Sequence, residues 1–395
     1  MRPNRTVWLH RAWLCCGLLA AAAGVHAAAR IDEIRFVGND TTQPQTMLQE
    51  MTIRVGDPVD RVQIERSRQA VMNLGIFKDV RSEVLREGER HIVQMTVVEK
   101  RYLLPLPRLN RNADGDISYG AQIRWDNFRG LNQTVKFTFE ETQPAETNAS
   151  EKQNVSAEFN YPRAWESLYG FNVNVEQNEQ TVEAVNEGYP GVYYHKTGQL
   201  ASVSVSRLLK PMGPTQGWSV NTGVAWSDTV YDNTAPIPPS VLSDTTDVSW
   251  GVGAGYADVR DYLYSRAGAE YGYNLRVSAP TLGADRFYHT HAVYFRSYNL
   301  ITERPHVSLD YQVKVGLSSG LDDAYALGSS DSLRGYKRDS IKGNAFVLTN
   351  VEYQQPLFGR KTVRGVVFTD IGNAYPSNNE IDLFDVKASI GVGLR

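Results

Sequence analysis

Over most of the chain, apolar and polar residues alternate one by one. Val307, Leu309, Tyr311, Val313, Val315 and Leu317 are interleaved with Ser308, Asp310, Gln312, Lys314 and Gly316. Ala267, Ala269, Tyr271, Tyr273 and Leu275 alternate with Arg266, Gly268, Glu270, Gly272 and Asn274, and Val386, Ala388, Ile390, Val392 and Leu394 alternate with Lys387, Ser389, Gly391, Gly393 and Arg395. A period of two puts one set on each face of a strand. The pattern predicts fourteen strands, with cores near 101–110, 116–126, 131–141, 153–161, 168–178, 196–207, 217–228, 246–257, 264–276, 287–299, 307–318, 342–355, 363–374 and 384–395. Strands of about 9–11 residues, when tilted, cross a bilayer. An apolar set facing lipid and a polar set facing a wet interior make a transmembrane antiparallel β-barrel. A soluble sandwich would have shorter strands. The connections at 142–152, 179–195, 229–245 and 319–341 are long, whereas Asn127 to Gly130 and Pro162-Arg163-Ala164 are tight. Short turns on the periplasmic side and long loops outside fit that phasing.

The pattern changes before residue 101. Ile31 to Val37 reads as a strand closed by Gly38-Asn39, and Pro44 to Thr52 as a short helix broken by Gly56-Asp57-Pro58. Asp60 suits the N-cap of a second helix, with apolar positions at Val62, Ala70, Val71 and Leu74, and Gly75 suits its end. Phe77 to Leu85 and His91 to Glu99 form a hairpin around Glu87-Gly88-Glu89. Residues 30–100 are thus expected to be a small α+β domain ahead of a 101–395 barrel.

Residues 1–27 carry Arg2, Arg5 and Arg11, an apolar run from Leu14 to Val25, and the small-residue site Val25-His26-Ala27. That is the pattern of an export signal, and a run of roughly 12 apolar residues is too short to span a bilayer. Its removal takes three arginines and no acid, moving the formal charge from −3 to −6. It also takes both cysteines, Cys15 and Cys16, so neither disulfides nor thiolate metal sites are expected. No basic run suggests a nucleic-acid partner. After Ala29 no apolar stretch is long enough for a membrane helix, while 21 tyrosines and 7 tryptophans suit a sheet with membrane-interface aromatics.

Three motifs of the N-terminal unit, Phe36-Val37-Gly38-Asn39, Gly56-Asp57 and Asn73-Leu74-Gly75-Ile76-Phe77-Lys78-Asp79-Val80, together with the closing Val97-Val98-Glu99, resemble a POTRA domain. Gly38, Gly56, Gly75 and Phe77 are its structural positions. In the barrel, Ser332-Leu333-Arg334-Gly335-Tyr336 and Phe368-Thr369-Asp370-Ile371-Gly372 resemble the paired motifs of the outer-membrane assembly factor superfamily, of the BamA and TamA type, which includes the bacterial surface antigen barrels. The resemblance covers nearly all of the chain after residue 29. On 342–355, Ala345, Val347, Val351 and Tyr353 form the lipid-facing set, so Glu352 points inward. On 363–374, Val363, Gly365, Val367 and Ile371 share one face and Asp370 takes the other. A loop folded inward could then bring Arg334 to both carboxylates, for which its planar fork is suited. Gly335 would let the backbone pass near the wall and Tyr336 would follow it. The resemblance implies this tucked loop.

Other signals are weaker. Gly316-Leu317-Ser318-Ser319-Gly320 fits a hydrolase pattern, but it lies at a strand end with no helix after it. Asn110 to Ser118 faintly resembles a calcium loop yet has Ala121 where the bidentate acid belongs, and Asp114-Gly115 favours a hairpin turn. His91, His195, His289, His291 and His306 are scattered; His289 and His291 share a face without a third ligand. The expectation is a non-enzymatic protein without cofactor or metal, in the outer membrane with its POTRA domain in the periplasm. Its partners would be membrane lipid, unfolded outer-membrane or secreted clients, and periplasmic or lipoprotein subunits. The function implied is assembly and insertion through β-augmentation; the alternatives are a two-partner secretion pore and a passive porin or surface antigen. The resembled barrels have 16 strands, against the 14 visible here, so the expectation is either a truncated piece or a 14-strand form.

Overall fold

The computed structural model describes residues 29–111, 116–144, 152–184, 187–209, 216–232, 234, 236–301, 306–329, 332–337 and 339–395. The expected export signal at 1–27 and the Asp114-Gly115 turn lie outside the described residues.

The N-terminal unit runs β1 (Glu33–Val37), α1 (Pro44–Leu48), α2 (Arg61–Met72), β2 (Phe77–Glu87) and β3 (Arg90–Glu99). Its sheet has the order β1-β3-β2, with β1 parallel to β3 and β2 antiparallel to it. The first helix is shorter than the expected 44–52. The Thr52 and Ile53 amides donate to the Ser67 hydroxyl at 3.0 and 3.2 Å, so the chain leaves α1 to pack along α2. Asp60 caps α2 by accepting from the Val62 amide at 2.8 Å. Asp60→Ala is expected to cost about 1 kcal/mol of POTRA stability, read from the urea midpoint. The buried face of α2 is Ile64, Ser67, Ala70 and Val71, at helical spacing. Val62, counted above as apolar face, is instead exposed. Phe77 is fully buried with Ile31, Met47, Val93 and Met95. Gly38 has φ +86°, and a Cβ there would collide with the Val97 carbonyl; only glycine lets the β1 turn approach β3 this closely. Gly56 and Gly75 take positive φ in the turns on either side of α2.

The large sheet contains β4 (Leu103–Arg111), β5 (Ile117–Phe128), β6 (Gln133–Gln143), β7 (Lys152–Tyr161), β8 (Tyr169–Glu183), β9 (Tyr193–Leu208) and β10 (Gln216–Asp232). It continues through β11 (Thr245–Asp261), β12 (Arg266–Ser278), β13 (Tyr288–Leu300) and β14 (Ser308–Ser319). A separate hairpin of β15 (Tyr325–Leu327) and β16 (Ile341–Gly343) precedes β17 (Ala345–Leu357), β18 (Arg360–Tyr375) and β19 (Lys387–Leu394). Each of the fourteen segments read from the alternation is a strand of one antiparallel sheet, in sequence order from β4 to β19. The sheet curls, so that Arg124 of β5 and Arg395 line one cavity; β4 and β19 are its edges.

Strands β8 to β11 are 15–17 residues long, and they run past the expected ends into the long loops. Val182 and Tyr194 turn the other way into an apolar cluster with Ile237, whereas the added outward pairs are polar, including Glu179↔Thr197 and Thr181↔His195. They continue a face that is apolar at Val173 and Val175, above the depth at which lipid requires apolar side chains. Farther along the outward face, Trp218 stacks with Tyr256 and Tyr271 at 5.5 and 5.9 Å between centroids, in the edge-on and tilted geometries aromatic rings favour.

Candidate functional site

Two strands and one loop build the site. The register pairs Asn350 with Asp370 across β17 and β18. Alternation turns Asn350 and Glu352 inward on β17, and Phe368 and Asp370 inward on β18. The loop between β14 and β17 narrows through β15 and β16, and its apex enters the interior. Leu333 is fully buried among Leu327, Ile341, Leu348 and Ala374, which fixes the next residue at the wall.

Arg334 then meets both acids. Its Nε donates to Asp370 Oδ2 at 2.7 Å and its Nη2 to Oδ1 at 2.6 Å, a bidentate fork. Its Nη1 donates to Glu352 Oε1 at 2.6 Å, and its backbone amide adds a bond of 3.1 Å to Asp370. The guanidinium lies 3.6 Å from the centre of the Phe368 ring, a cation–π contact out of bulk water. Asn350 Nδ2 bridges Asp370 Oδ1 at 2.7 Å and the Ser332 carbonyl at 2.8 Å. The Asp370 side chain has no exposed surface, and its oxygens accept from four donors, as a buried carboxylate requires. Glu352 is held in addition by Gln354 at 3.1 Å and Arg395 at 2.9 Å. Gly335 has φ +87°, and a Cβ there would meet nothing nearer than 3.7 Å. The positive φ, rather than closeness to the wall, is what calls for glycine. The Tyr336 hydroxyl donates to the Ala388 carbonyl of β19 at 3.1 Å.

The structure thus brings Arg334, Glu352 and Asp370 together, with Tyr336 reaching the neighbouring strand. Sequence reasoning left out Leu333, Asn350 and Phe368. The last two lie two residues from an acid already named, on the same face, so period two alone could have found them. The arrangement is a clasp: its carboxylates are saturated by donors, and it ties a loop to a wall. Beside it lies a polar cavity of about 430 Å³ lined by Arg296, Lys314 and Gln312 among others.

The remaining sequence signals separate from this site. Ser318 is a strand residue at the end of β14, and its carbonyl accepts from Asn378. His289 and His291 are 3.1 Å apart, and His291 lies 2.7 Å from the Tyr273 hydroxyl. Among the described residues no three acids, histidines or cysteines gather as a metal site.

A second polar contact, not read from the sequence, seats the small domain on the sheet. Glu50 Oε2 and Arg163 Nη1 are 3.2 Å apart, with the Glu50 side chain wholly buried. Burial pushes the Glu50 carboxyl up to about 7, with Arg163 pulling the other way. Around it, Thr46 donates to the Gly130 carbonyl, Asn127 to Thr42, Gln69 to the Asp261 carbonyl, and the Asp261 amide to Asn73. The turns β5–β6, β7–β8 and β11–β12 are therefore all held by one domain. Among the described tight-turn residues Arg163 alone is a buried cation, a feature that period and turn chemistry do not reveal.

Comparison with known proteins bears on this arrangement. The Omp85 superfamily domain matches residues 127–395. The chain belongs to the Omp85 superfamily. A POTRA family, described as a surface antigen variable number repeat, matches residues 29–100. The rice protein outer envelope protein 80, chloroplastic, from Oryza sativa subsp. japonica, is 22% identical over 88% of this chain. The outer membrane protein assembly factor BamA of Nitratidesulfovibrio vulgaris is 30% identical over 18% of it. The chain spans 54% and 9% of these two relatives. Among solved structures, BamA from Haemophilus ducreyi lacking POTRA domains 1–3 has a TM-score of 0.53 at 16% identity, covering 93% of this chain and 78% of that one. CdiB from Escherichia coli has a TM-score of 0.64 at 15% identity, covering 93% and 69%. These likenesses show the fold. This Omp85 chain is an outer-membrane barrel, with its POTRA domain on the periplasmic side.

Proposed function

We propose that this Omp85 protein inserts client β-barrel proteins into the outer membrane and acts without covalent chemistry. The observation that carries the reading is the outer edge of β2. Among the described residues this eleven-residue strand pairs on one side only, ten of its residues facing β3. An unpaired edge is a template for an extended segment of another chain. Hydrogen bonds to the client backbone give affinity with little sequence preference, which suits a carrier of many clients. The clasped loop supports the same reading, since a segment fastened inside the lumen narrows any through-path. The export signal at 1–27 belongs to this proposal too, as do the boundaries at 30–100 and 101–395. We also read Arg334, Glu352 and Asp370 as the residues that keep the barrel in its working form.

The likeness to CdiB favours a second reading, translocation of a protein through the lumen. The two differ in what the purified chain does in vesicles. As an insertion factor it speeds folding of an urea-denatured β-barrel client into the bilayer, and a photocrosslinker at Arg81, exposed on β2, traps that client. A steady open conductance with no gain in client folding rate would sink the insertion reading and leave translocation.

A further inference from the structure

The connection between β18 and β19 does not stand away from the barrel. It folds back over the outward face of β18, where Asn373 and Tyr375 become almost fully buried. The Tyr375 hydroxyl donates to the Asp382 carbonyl at 2.6 Å, and Asn373 Nδ2 to the Asp385 carbonyl at 2.8 Å. The tip is further fixed by the Phe384 amide donating to Asp382 Oδ1 at 2.8 Å and the Asp385 amide to the Asp382 carbonyl at 3.2 Å. The Asp382–Asp385 tip thus holds out two apolar side chains: Leu383 is 63% exposed and Phe384 97% exposed.

A loop tip held by four such bonds is not a floppy excursion, and an aromatic side chain held fully open to water is costly. The two acids beside it are engaged with backbone or Asn373. Both remain exposed, a charge suited to the head-group level, with Leu383 and Phe384 as the parts that can enter the acyl region. Asn373 shares its strand face with Val367 and Ile371, and across the ladder with Ala388 and Ile390, which form the lipid-facing set. The tip is therefore continuous with the lipid-facing surface, at the end opposite the POTRA domain. An apolar pair beside polar backbone is the composition that seats at a membrane interface.

We propose that Leu383 and Phe384 form an interfacial anchor whose side chains rest among the acyl chains of the outer leaflet beside β18 and β19. The anchor would fix the height of this part of the sheet in the bilayer. It stands apart from the client reading, because it needs only the membrane placement of the barrel.

The test uses the full chain with Cys15→Ser and Cys16→Ser, which leaves no cysteine. Leu383→Cys and, separately, Phe384→Cys are labelled with an environment-sensitive fluorophore, each keeping the other apolar residue. Glu380→Cys is the control within the same loop. In phosphatidylcholine vesicles carrying a nitroxide near the head-group end of the chain, both tip labels should be quenched at least about twofold more than the Glu380 label, and less by aqueous iodide. Tip labels quenched by iodide as strongly as the control, with no response to the lipid nitroxide, would overturn the anchor. The tip would then be a surface for a soluble protein partner. The substitutions lie outside the packed interior, and retained heat-modifiable migration on gels verifies that the barrel folds.

Discussion

Replacing Arg334 with alanine is expected to release the loop between Gly328 and Ser340 from the lumen wall. The substitution removes the bidentate fork to Asp370 and the bond to Glu352 and leaves a fully buried carboxylate short of its partner. Breaking one side of a buried pair costs about 3–5 kcal/mol. Part of this is recovered because Asn350 still donates to Asp370 and Gln354 to Glu352, so the observed loss should fall toward the lower end. The measurement is limited proteolysis of the loop in the folded barrel, beside the thermal midpoint. Arg334→Lys should restore little, since an ammonium cannot reproduce the fork or lie flat on Phe368. Cleavage rates equal to wild type in both variants would show that Leu333 and its apolar neighbours hold the loop without the clasp.

Arg163→Ala is expected to loosen the POTRA domain from the barrel in a pH-dependent way. Glu50 is buried against Arg163, and its carboxyl titrates near 7 in the docked state rather than at its ordinary 4.5. Undocking exposes it to water and returns it to the lower value. The sign follows: a carboxyl raised on docking favours the docked form fully below 4.5, and that contribution is lost as pH rises through about 7. Without Arg163, the charged form has no cation to meet, and a buried unpaired carboxylate costs about 3–5 kcal/mol. The variant should therefore dock nearly as wild type at pH 5 and open at pH 8. Spin labels at Arg86→Cys and Leu282→Cys would report a single narrow distance at the lower pH and a broad one at the higher. Glu50→Gln should remove the pH dependence. A distance that does not change with pH in Arg163→Ala would mean that the bonds at Gly130 and Asp261 hold the domain by themselves.

Both predictions concern contacts between parts of the chain far apart in sequence, and the two differ in how legible they were. Half of the Arg334 clasp was within reach of the pattern, because strand alternation assigns Glu352 and Asp370 to the inner face; that the loop brings Arg334 to them was implied by the family resemblance of its motif. The Glu50–Arg163 pair was not. Glu50 lies just past α1, and Arg163 lies in a short turn, where a charged residue is ordinarily solvated. The anchor at Leu383 and Phe384 was hidden for a related reason: two apolar residues in a loop carry no periodicity, and only the fold shows that they are left uncovered.

The sequence by itself determined the strands, their inner and outer faces and their order, because lipid on one side and water on the other impose a period of two that survives every local irregularity. It also placed the Asp60 cap and the Gly38, Gly56 and Gly75 turns, which depend on neighbours only a few residues away. It did not determine how far β8 to β11 extend, since beyond the lipid the outward face turns polar at Glu179, Thr181 and Glu183 while Val182, Tyr194 and Tyr231 are covered only by loop residues such as Ile237. Nor did it determine which charges are buried. Desolvation depends on what another segment brings to the same point in space, and that was decided only when the POTRA domain met the turns and the loop entered the barrel.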